Sequence, residues 1–140
     1  GLGTLHLPGQ LVCFVARPCR RSQLAQIISA LLQGAADLAQ RRSREARVDV
    51  SEDAGLWCLD GKLASIGLRL DRGVICHGMA LNVAVDTSLA AGLNLCGHQE
   101  GLLANLHNPT GERLSASADH AGLMVAAAAE LAERLGLLSA

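Results

Sequence analysis

Two side chains of this sequence could act together as a nucleophile and its proton acceptor. Cys96 stands in a glycine-containing stretch between Asp86 and Gly101, and Lys62 is the one lysine among 140 residues. A cysteine reacts as its thiolate, and a nearby amine can take up the proton that the thiol loses. Nucleophilic chemistry at sulfur is therefore possible if the fold brings the two side chains together.

The sequence position of Lys62 allows two interpretations. Lys62 follows the hairpin signal Asp60-Gly61 and opens the apolar run Leu63–Leu70, so strand alternation predicts that it lies on an apolar face. That face comprises Ala64, Ile66, Leu68 and Leu70. The amine could be partly desolvated, which suits it to proton transfer, or it could lie at the strand end and reach water past the turn. The residues alone leave both interpretations open.

The remaining cysteines are weaker candidates for a nucleophile. Cys13 and Cys58 fall within apolar strand patterns and are expected to be packed thiols. The total of five cysteines is odd and contains no Cys-x-x-Cys pair, which argues against a disulfide framework and a zinc ribbon. His77 and His98 lie next to or near a cysteine without a metal-binding spacing, so no metal and no cofactor are expected.

Composition excludes several classes of function. The net charge of −1 and the presence of only two aromatic residues, Phe14 and Trp57, argue against a nucleic-acid partner. No apolar run in the sequence reaches the ~18 residues that span a bilayer, and no stretch of it resembles a charged-then-apolar signal peptide, so no membrane association is expected. The length fits a single domain, residues 1–140, and the cysteine usage favours the cytoplasm.

The hydrophobic pattern predicts an α+β fold, with a largely antiparallel sheet and helices packed on it. The arginines between residues 41 and 47 are expected in an exposed connection, and Ser22 is the expected N-cap of the first helix. The predicted elements are a strand at Gln10–Ala16, a helix over Leu24–Leu38, strands at Leu56–Leu59, Leu63–Leu70 and Met79–Val85, a loop from Asp86 to Gly101, and a helix from Asp119 onward.

Three ordered motifs resemble the lipoyl(octanoyl) transferase family, lipoate–protein ligase B. The stretch from Gly61 to Gly97 reads GKLASIGLRLDRGVICHGMALNVAVDTSLAAGLNLCG, and it resembles the family's Lys-Ile-x-x-Ile-Gly, His-Gly-x-Ala-Leu-Asn and Pro-Cys-Gly at matching spacing. Upstream, Thr4–Gln10 is similar to the family's Thr-aromatic-His-Gly-Pro-Gly-Gln, and Gly55-Leu56-Trp57 to its Gly-Val-Trp.

The resemblance implies an activity, partners and site residues. It implies transfer of octanoyl from acyl carrier protein to a lysine on the lipoyl domains of 2-oxoacid dehydrogenases and the glycine cleavage system. The catalytic residues would be Cys96, which carries the acyl group, and Lys62, which activates it. The fold would be the catalytic core shared with biotin and lipoate ligases. The substrate-binding positions would be Gly1, Leu2, Gly3, Thr4, Leu5 and His6, then Ser65, Ile66 and Gly67, then His77, Gly78, Met79 and Ala80.

The sequence also departs from the family pattern. It starts at Gly1, where the family has preceding residues, so an N-terminal segment is expected to be missing. Leu7 stands where the family has glycine, so strain is expected if the position requires a positive φ. Further departures are Ala90, Leu95, Ala104 and Asn105. The departures allow two interpretations. One is a divergent or partial transferase, and the alternative is a non-catalytic relative that binds acyl groups or lipoyl domains. His107 and His120 match no motif and are expected at the surface.

Overall fold

The structure is a computed structural model that describes residues 5–51, 54–90, 103–107 and 119–134. In these ranges, six strands form one sheet and two α-helices accompany it. The strands are β1 (Gln10–Phe14), β2 (Arg17–Pro18), β3 (Arg47–Asp49), β4 (Gly55–Cys58), β5 (Gly61–Asp71) and β6 (Val74–Asn82). The helices are α1 (Leu24–Gln40) and α2 (Asp119–Arg134), with 3-10 turns at Arg21–Gln23 and Thr87–Ala90.

The strands build one antiparallel sheet in the order β1-β6-β5-β4-β3, and β2 pairs with the start of β6. The long hairpin of β5 and β6 is its centre, with Ala64 opposite Leu81 and Asp71 opposite Val74. Leu81 in turn faces Leu11 of β1. Side chains that face one another across strands share a sheet face, so one apolar face runs across β1, β6 and β5.

That apolar face packs against α1. The helix has the 3.6-residue apolar spacing predicted for it, and its buried positions form one stripe. These positions are Leu31, Leu32, Gly34, Ala35, Leu38 and Ala39. They join Leu56, Met79 and Leu81 of the sheet and Ala127 of α2 in one core. The opposite face of the sheet is free of α1 and carries the site described below.

The structure corrects three predicted boundaries. Cys58 pairs with Gly61, so the β4–β5 turn is Leu59-Asp60, one residue earlier than predicted. Strand β6 occupies Val74–Asn82 instead of Met79–Val85, because the tight turn after Asp71 returns the chain to the sheet at once. Ser22 lies within the 3-10 turn and does not cap α1. At the start of that turn, the side chain of Gln23 accepts a hydrogen bond from the backbone N–H of Arg20 at 2.9 Å.

The arginines after α1 are not all in an exposed connection, contrary to the prediction. Arg42 donates two hydrogen bonds to Glu130 of α2, at 2.9 and 3.1 Å. Arg44 contacts both carboxylate oxygens of Asp60 at 2.7 Å. Arg47 begins β3. The arginines therefore attach α2 and the β4–β5 turn to the end of α1. None of the helices in the described part of the chain has the length and apolar character needed to cross a bilayer.

Candidate active site

A bulge in β5 decides where the side chain of Lys62 points. Leu56 pairs with Ala64, but the next residue of β4, Trp57, pairs with Lys62, so Leu63 is an extra residue in β5. The extra residue reverses the alternation, and the prediction that Lys62 shares a face with Ala64 is wrong. Leu63 and Ala64 both enter the core, while Lys62 lines the cavity on the opposite face.

Lys62 is buried, which contradicts the strand-end interpretation. Its residue surface is 7% exposed, and its Nζ lies 4.9 Å from the centroid of the Trp57 ring. Such a distance permits a cation–π interaction. A Cβ on Gly55 would lie 2.5 Å from Cε of Lys62, so a larger residue at position 55 would displace the amine. Two motif residues on β4 thus shape the space for the lysine.

Lys62 opens onto a cavity of about 790 Å³ on the face of the sheet opposite α1. Its floor is made of small cross-strand pairs: Ser65 opposite Ala80, and Gly67 opposite Gly78. A Cβ at Gly67 would meet no atom within 4 Å, whereas a Cβ at Gly78 would collide with the carbonyl oxygen of Cys13. Gly78 therefore permits the close approach of β1, and Gly67 keeps the floor of the cavity open.

The cavity gathers most of the described residues that the resemblance implied. The predicted positions that line it are Leu5, His6, Lys62, Ser65, Ile66, Gly67, His77, Gly78, Met79 and Ala80. Ile66 and Met79 pack their side chains into the core, so they border the cavity from within the strands. Gly1, Leu2, Gly3, Thr4 and Cys96 lie outside the described residues, and so does Leu95. The lining also includes unpredicted positions: Gln10, Val12, Phe14, Ala54, Arg69, Asn82 and Leu103.

A chain of side-chain hydrogen bonds crosses the β1–β6 end of the cavity. His6 Nδ1 lies 2.8 Å from Gln10 Oε1, and Gln10 Nε2 donates to Asn82 Oδ1 at 2.8 Å. Asn82 Nδ2 then donates to the backbone carbonyl of Lys62 at 3.0 Å. Gln10 and Asn82 stand within the motifs, but no role was predicted for them. The available signal was a polar residue at the start of one apolar strand and at the end of another.

A segment distant in sequence supports the same carbonyl. Residues 103–107 run beside β5, with a parallel bridge between Lys62 and Leu103. Ala104 donates its N–H to the Lys62 carbonyl at 3.1 Å. Asn105 is buried and exchanges hydrogen bonds of 2.8 and 2.9 Å with the backbone of Val85. The departures from the family pattern at positions 104 and 105 are therefore compatible with an ordered segment.

His77 and Leu7 differ in backbone conformation. His77 is exposed and has a φ of 67°, a conformation that costs energy for a side chain other than glycine. Its carbonyl accepts the N–H of Val15. Leu7 is not among the described residues with positive φ, so the backbone strain expected there is absent, and its side chain lines the cavity.

His107 is half-buried, and the prediction of a surface position is wrong. Arg42 donates its Nε–H to Nε2 of His107 at 3.1 Å. Burial, together with the Arg42 guanidinium, lowers the pKa of His107 below its usual 6.5, and Glu130 acts in the opposite direction. The backbone N–H of His107 donates to the carbonyl of Val83. Together with the bond from Arg42, it holds the end of residues 103–107 in place. The side chain of His120 lies outside the described residues.

The four described cysteines are half-buried or buried. Cys13 and Cys58, which were predicted to be packed thiols, are half-buried, and burial raises the pKa of each. Cys19 is buried and Cys76 is half-buried. None of the four lines the cavity. Within the described ranges, no three His, Cys, Asp or Glu side chains converge as they would around a metal ion.

Comparison with known proteins places these features in a family. The sequence model of the lipoyl protein ligase A/B catalytic domain matches residues 1–122. Octanoyltransferase of Ectopseudomonas mendocina (strain ymp) is 36% identical over 100 residues, which cover 70% of this chain and 48% of that protein. Octanoyltransferase of Chromohalobacter salexigens is 38% identical over 100 residues, which cover 70% and 45%. The chain thus spans a little under half the length of these curated relatives.

Solved structures share the fold at low sequence identity. Lipoate-protein ligase A bound with ATP superposes with a TM-score of 0.62 at 17% identity, over 91% of this chain and 53% of that one. Ta0514 of T. acidophilum with bound lipoic acid gives 0.60 at 18%, over 91% and 52%. Biotin protein ligase of Aquifex aeolicus gives 0.58 at 13%, over 92% and 54%. The predicted antiparallel sheet with packed helices, as in lipoate and biotin ligases, is confirmed.

Proposed function

The chain belongs to the lipoyl protein ligase A/B catalytic domain family, and on that premise we propose that its protein is an octanoyltransferase. The octanoyl group passes from acyl carrier protein to Cys96 and then to a lysine of a lipoyl domain. The acceptors are the lipoyl domains of 2-oxoacid dehydrogenases and the glycine cleavage system, and the reaction takes place in the cytoplasm. The names of the relatives support octanoyl transfer.

The observation that carries the proposal is the burial of the one lysine of the chain at the cavity. Burying an ammonium is costly unless its surroundings compensate. A lysine kept there by a bulge, an aromatic ring and a glycine is better explained by a role in chemistry than by packing. Proton transfer with a cysteine thiol is the role for which an amine in this family motif is suited.

The proposed reaction has two acyl-transfer steps. Lys62 takes the proton of Cys96, the thiolate bonds to the octanoyl carbonyl carbon, and the bond from that carbon to the carrier sulfur breaks. The carrier leaves as a thiol with the proton from Lys62. The neutral amine of the lipoyl-domain lysine then attacks the Cys96 thioester. The carbon–nitrogen bond forms, the carbon–sulfur bond breaks, and the amine's proton passes through Lys62 to the Cys96 sulfur.

The floor of the cavity suits a narrow apolar chain. Ser65, Ala80, Gly67 and Gly78 present little side-chain bulk to it. An octanoyl tail laid over these pairs, with its carbonyl towards Lys62, would bury apolar surface of the tail and of the cavity floor. This burial favours binding by roughly 0.8 kcal/mol per methylene. The carbonyl carbon of the acyl group would then meet the proposed nucleophile at the end of the cavity where Lys62 lies.

The decisive experiment is incubation of the complete natural protein with octanoyl-acyl carrier protein, followed by intact mass measurement and peptide mapping. We expect one octanoyl group on Cys96, its transfer to an added lipoyl domain, and no adduct in Cys96→Ser. An adduct on Cys13, Cys19, Cys58 or Cys76 instead would identify a different nucleophile. If octanoyl carrier binds without acylating any cysteine, the protein is a non-catalytic binding module.

A further inference from the structure

The hydrogen-bonded chain from His6 to Lys62 has only one possible direction. A backbone carbonyl can only accept, so the Asn82 atom that contacts the Lys62 carbonyl at 3.0 Å must be the amide nitrogen. The Asn82 oxygen then faces Gln10, which must donate its nitrogen. The Gln10 oxygen therefore faces His6, whose Nδ1 must carry a hydrogen. One accepting carbonyl thus sets the orientation of three side chains.

The carbonyl at the start of this chain belongs to the bulge itself. Ala64 pairs with Leu81, so Asn82 stands beside the bulged residues Lys62 and Leu63 on the β6 side. Asn82 is 3% exposed, so its amide has no access to bulk water and an unmade hydrogen bond there is costly. A slip of one residue would return Lys62 to the α1 face, since strand side chains alternate. The bond from Asn82 to the Lys62 carbonyl opposes that slip.

We infer that Asn82 is a positioning residue for Lys62, held in orientation by Gln10, and this inference rests on the proposed function of Lys62. Asn82 bonds the backbone carbonyl of Lys62, while the side chain of Lys62 lines the cavity. Its effect on the reaction is to keep the amine on the cavity face beside Trp57. Loss of the bond allows the Lys62 side chain to shift along the cavity face of the sheet or to turn away from it. A misplacement of about 1 Å can cost on the order of 10²-fold in rate.

The test uses Asn82→Asp, a change of nearly equal volume that removes the donor and puts a second acceptor against the Lys62 carbonyl. The matched control is Asn105→Asp, which removes a buried amide donor to the Val85 carbonyl and leaves in place the backbone bond from Ala104 to the Lys62 carbonyl. Both variants are measured in the complete natural protein by thermal unfolding, octanoyl-transfer kinetics and lysine-selective NMR.

The NMR signal of Lys62 reports its position directly. Because Nζ lies 4.9 Å from the Trp57 ring centroid, the ring current should shift the Lys62 Hε resonances upfield. We expect Asn82→Asp to lose this upfield shift and to lower kcat by on the order of 10²-fold with KM little changed. Asn105→Asp should lower the unfolding midpoint to a similar extent while retaining the upfield shift.

Three results are distinguishable. If Asn82→Asp retains both the upfield shift and the wild-type kcat, or if Asn105→Asp abolishes the shift equally, the positioning role is overturned. If Asn82→Asp does not fold, Gln10→Glu replaces it, since a carboxylate at position 10 cannot donate to Asn82; an unchanged Lys62 signal in that variant also overturns the role. If the wild type transfers no octanoyl but Asn82→Asp loses the shift, the proposed function fails and the positioning role stands.

Discussion

The side-chain nitrogen (Nζ) of Lys62 lies 4.9 Å from the centre of the Trp57 ring, and the two residues face each other across the bulged pairing of β4 and β5. The same bulge moves Leu63 into the core and turns Lys62 towards the cavity. Three features therefore depend on one local irregularity: the burial of the amine, its aromatic partner and its access to the cavity floor.

Replacement of Trp57 should separate the ring's electrostatic effect from its bulk. Trp57→Leu removes the π face, and a desolvated cation–π interaction contributes about 2 kcal/mol, so we expect a loss of unfolding free energy of at least that order. Trp57→Phe keeps a ring and should lose less. Urea unfolding followed by circular dichroism gives the free energies, and single-turnover acylation gives the rates. Equal losses of unfolding free energy in Trp57→Leu and Trp57→Phe would show that the side-chain volume at position 57, and not its π face, stabilises the protein.

Lys62→Met should uncouple stability from reactivity. Methionine keeps the length of the side chain and removes the buried charge. The relief of its desolvation offsets the loss of the cation–π interaction with Trp57, so we expect the unfolding free energy to change little. The alkylation rate of Cys96 near neutral pH should fall, because its proton acceptor is gone. Peptide mapping after timed alkylation measures that rate. Cys13 and Cys58, whose pKa values burial raises, are internal controls that should react slowly in both proteins.

An alkylation rate of Cys96 that is the same in wild type and Lys62→Met would exclude Lys62 as the proton acceptor. Lys62→Ala is a less informative variant, since it leaves an unfilled space beside Trp57 and Gly55 and combines a packing loss with the chemical one.

The two paired glycines of the cavity floor should respond oppositely to substitution. Gly78→Ala places a Cβ against the carbonyl oxygen of Cys13, so we expect a loss of at least about 2 kcal/mol of unfolding free energy. Gly67→Ala meets no atom within 4 Å and should fold normally. Gly67→Val should narrow the cavity and shift the preference from octanoyl towards shorter acyl groups, measured by competition between acyl carriers of different length. An unchanged preference would place the acyl tail elsewhere.

Protonation of His107 should destabilise the protein at acidic pH. Burial and Arg42 lower the pKa of His107 below 6.5, so between the folded and unfolded pKa values the unfolded chain binds more protons. The stabilising contribution of His107 is therefore complete above about pH 6.5 and is lost as the pH falls through the folded pKa. His107→Gln, which can still accept from Arg42, should flatten this part of the pH dependence. Urea midpoints from about pH 8 to 5 measure it; identical curves for both proteins would contradict the assignment.

Local patterns in the sequence were sufficient for the two helices and the main strands, although β2 and β3 were not predicted and β6 was placed too far along the chain. The apolar stripe of α1, the turn after Asp71 and the glycine and histidine motifs each depend on residues close together in the chain, whose spacing follows from helix and strand geometry. For that reason the sequence alone determined an antiparallel sheet with packed helices, whereas the substrate-binding positions that line the cavity were implied by the resemblance of the motifs to a known family.

The orientation of Lys62 depended on tertiary structure. Alternation counted along β5 predicts the wrong face, since the extra residue at Leu63 is defined only by the pairing of β5 with β4. In the same way, the contacts of Asn82 and Ala104 with the Lys62 carbonyl join residues 20 and 42 positions away in the sequence. His107 was misplaced because its partner Arg42 lies 65 positions earlier in the sequence, just after α1, and is itself paired with Glu130 of α2. Sequence spacing specifies which side chains are available, and pairing register and long-range hydrogen bonds decide which way they face.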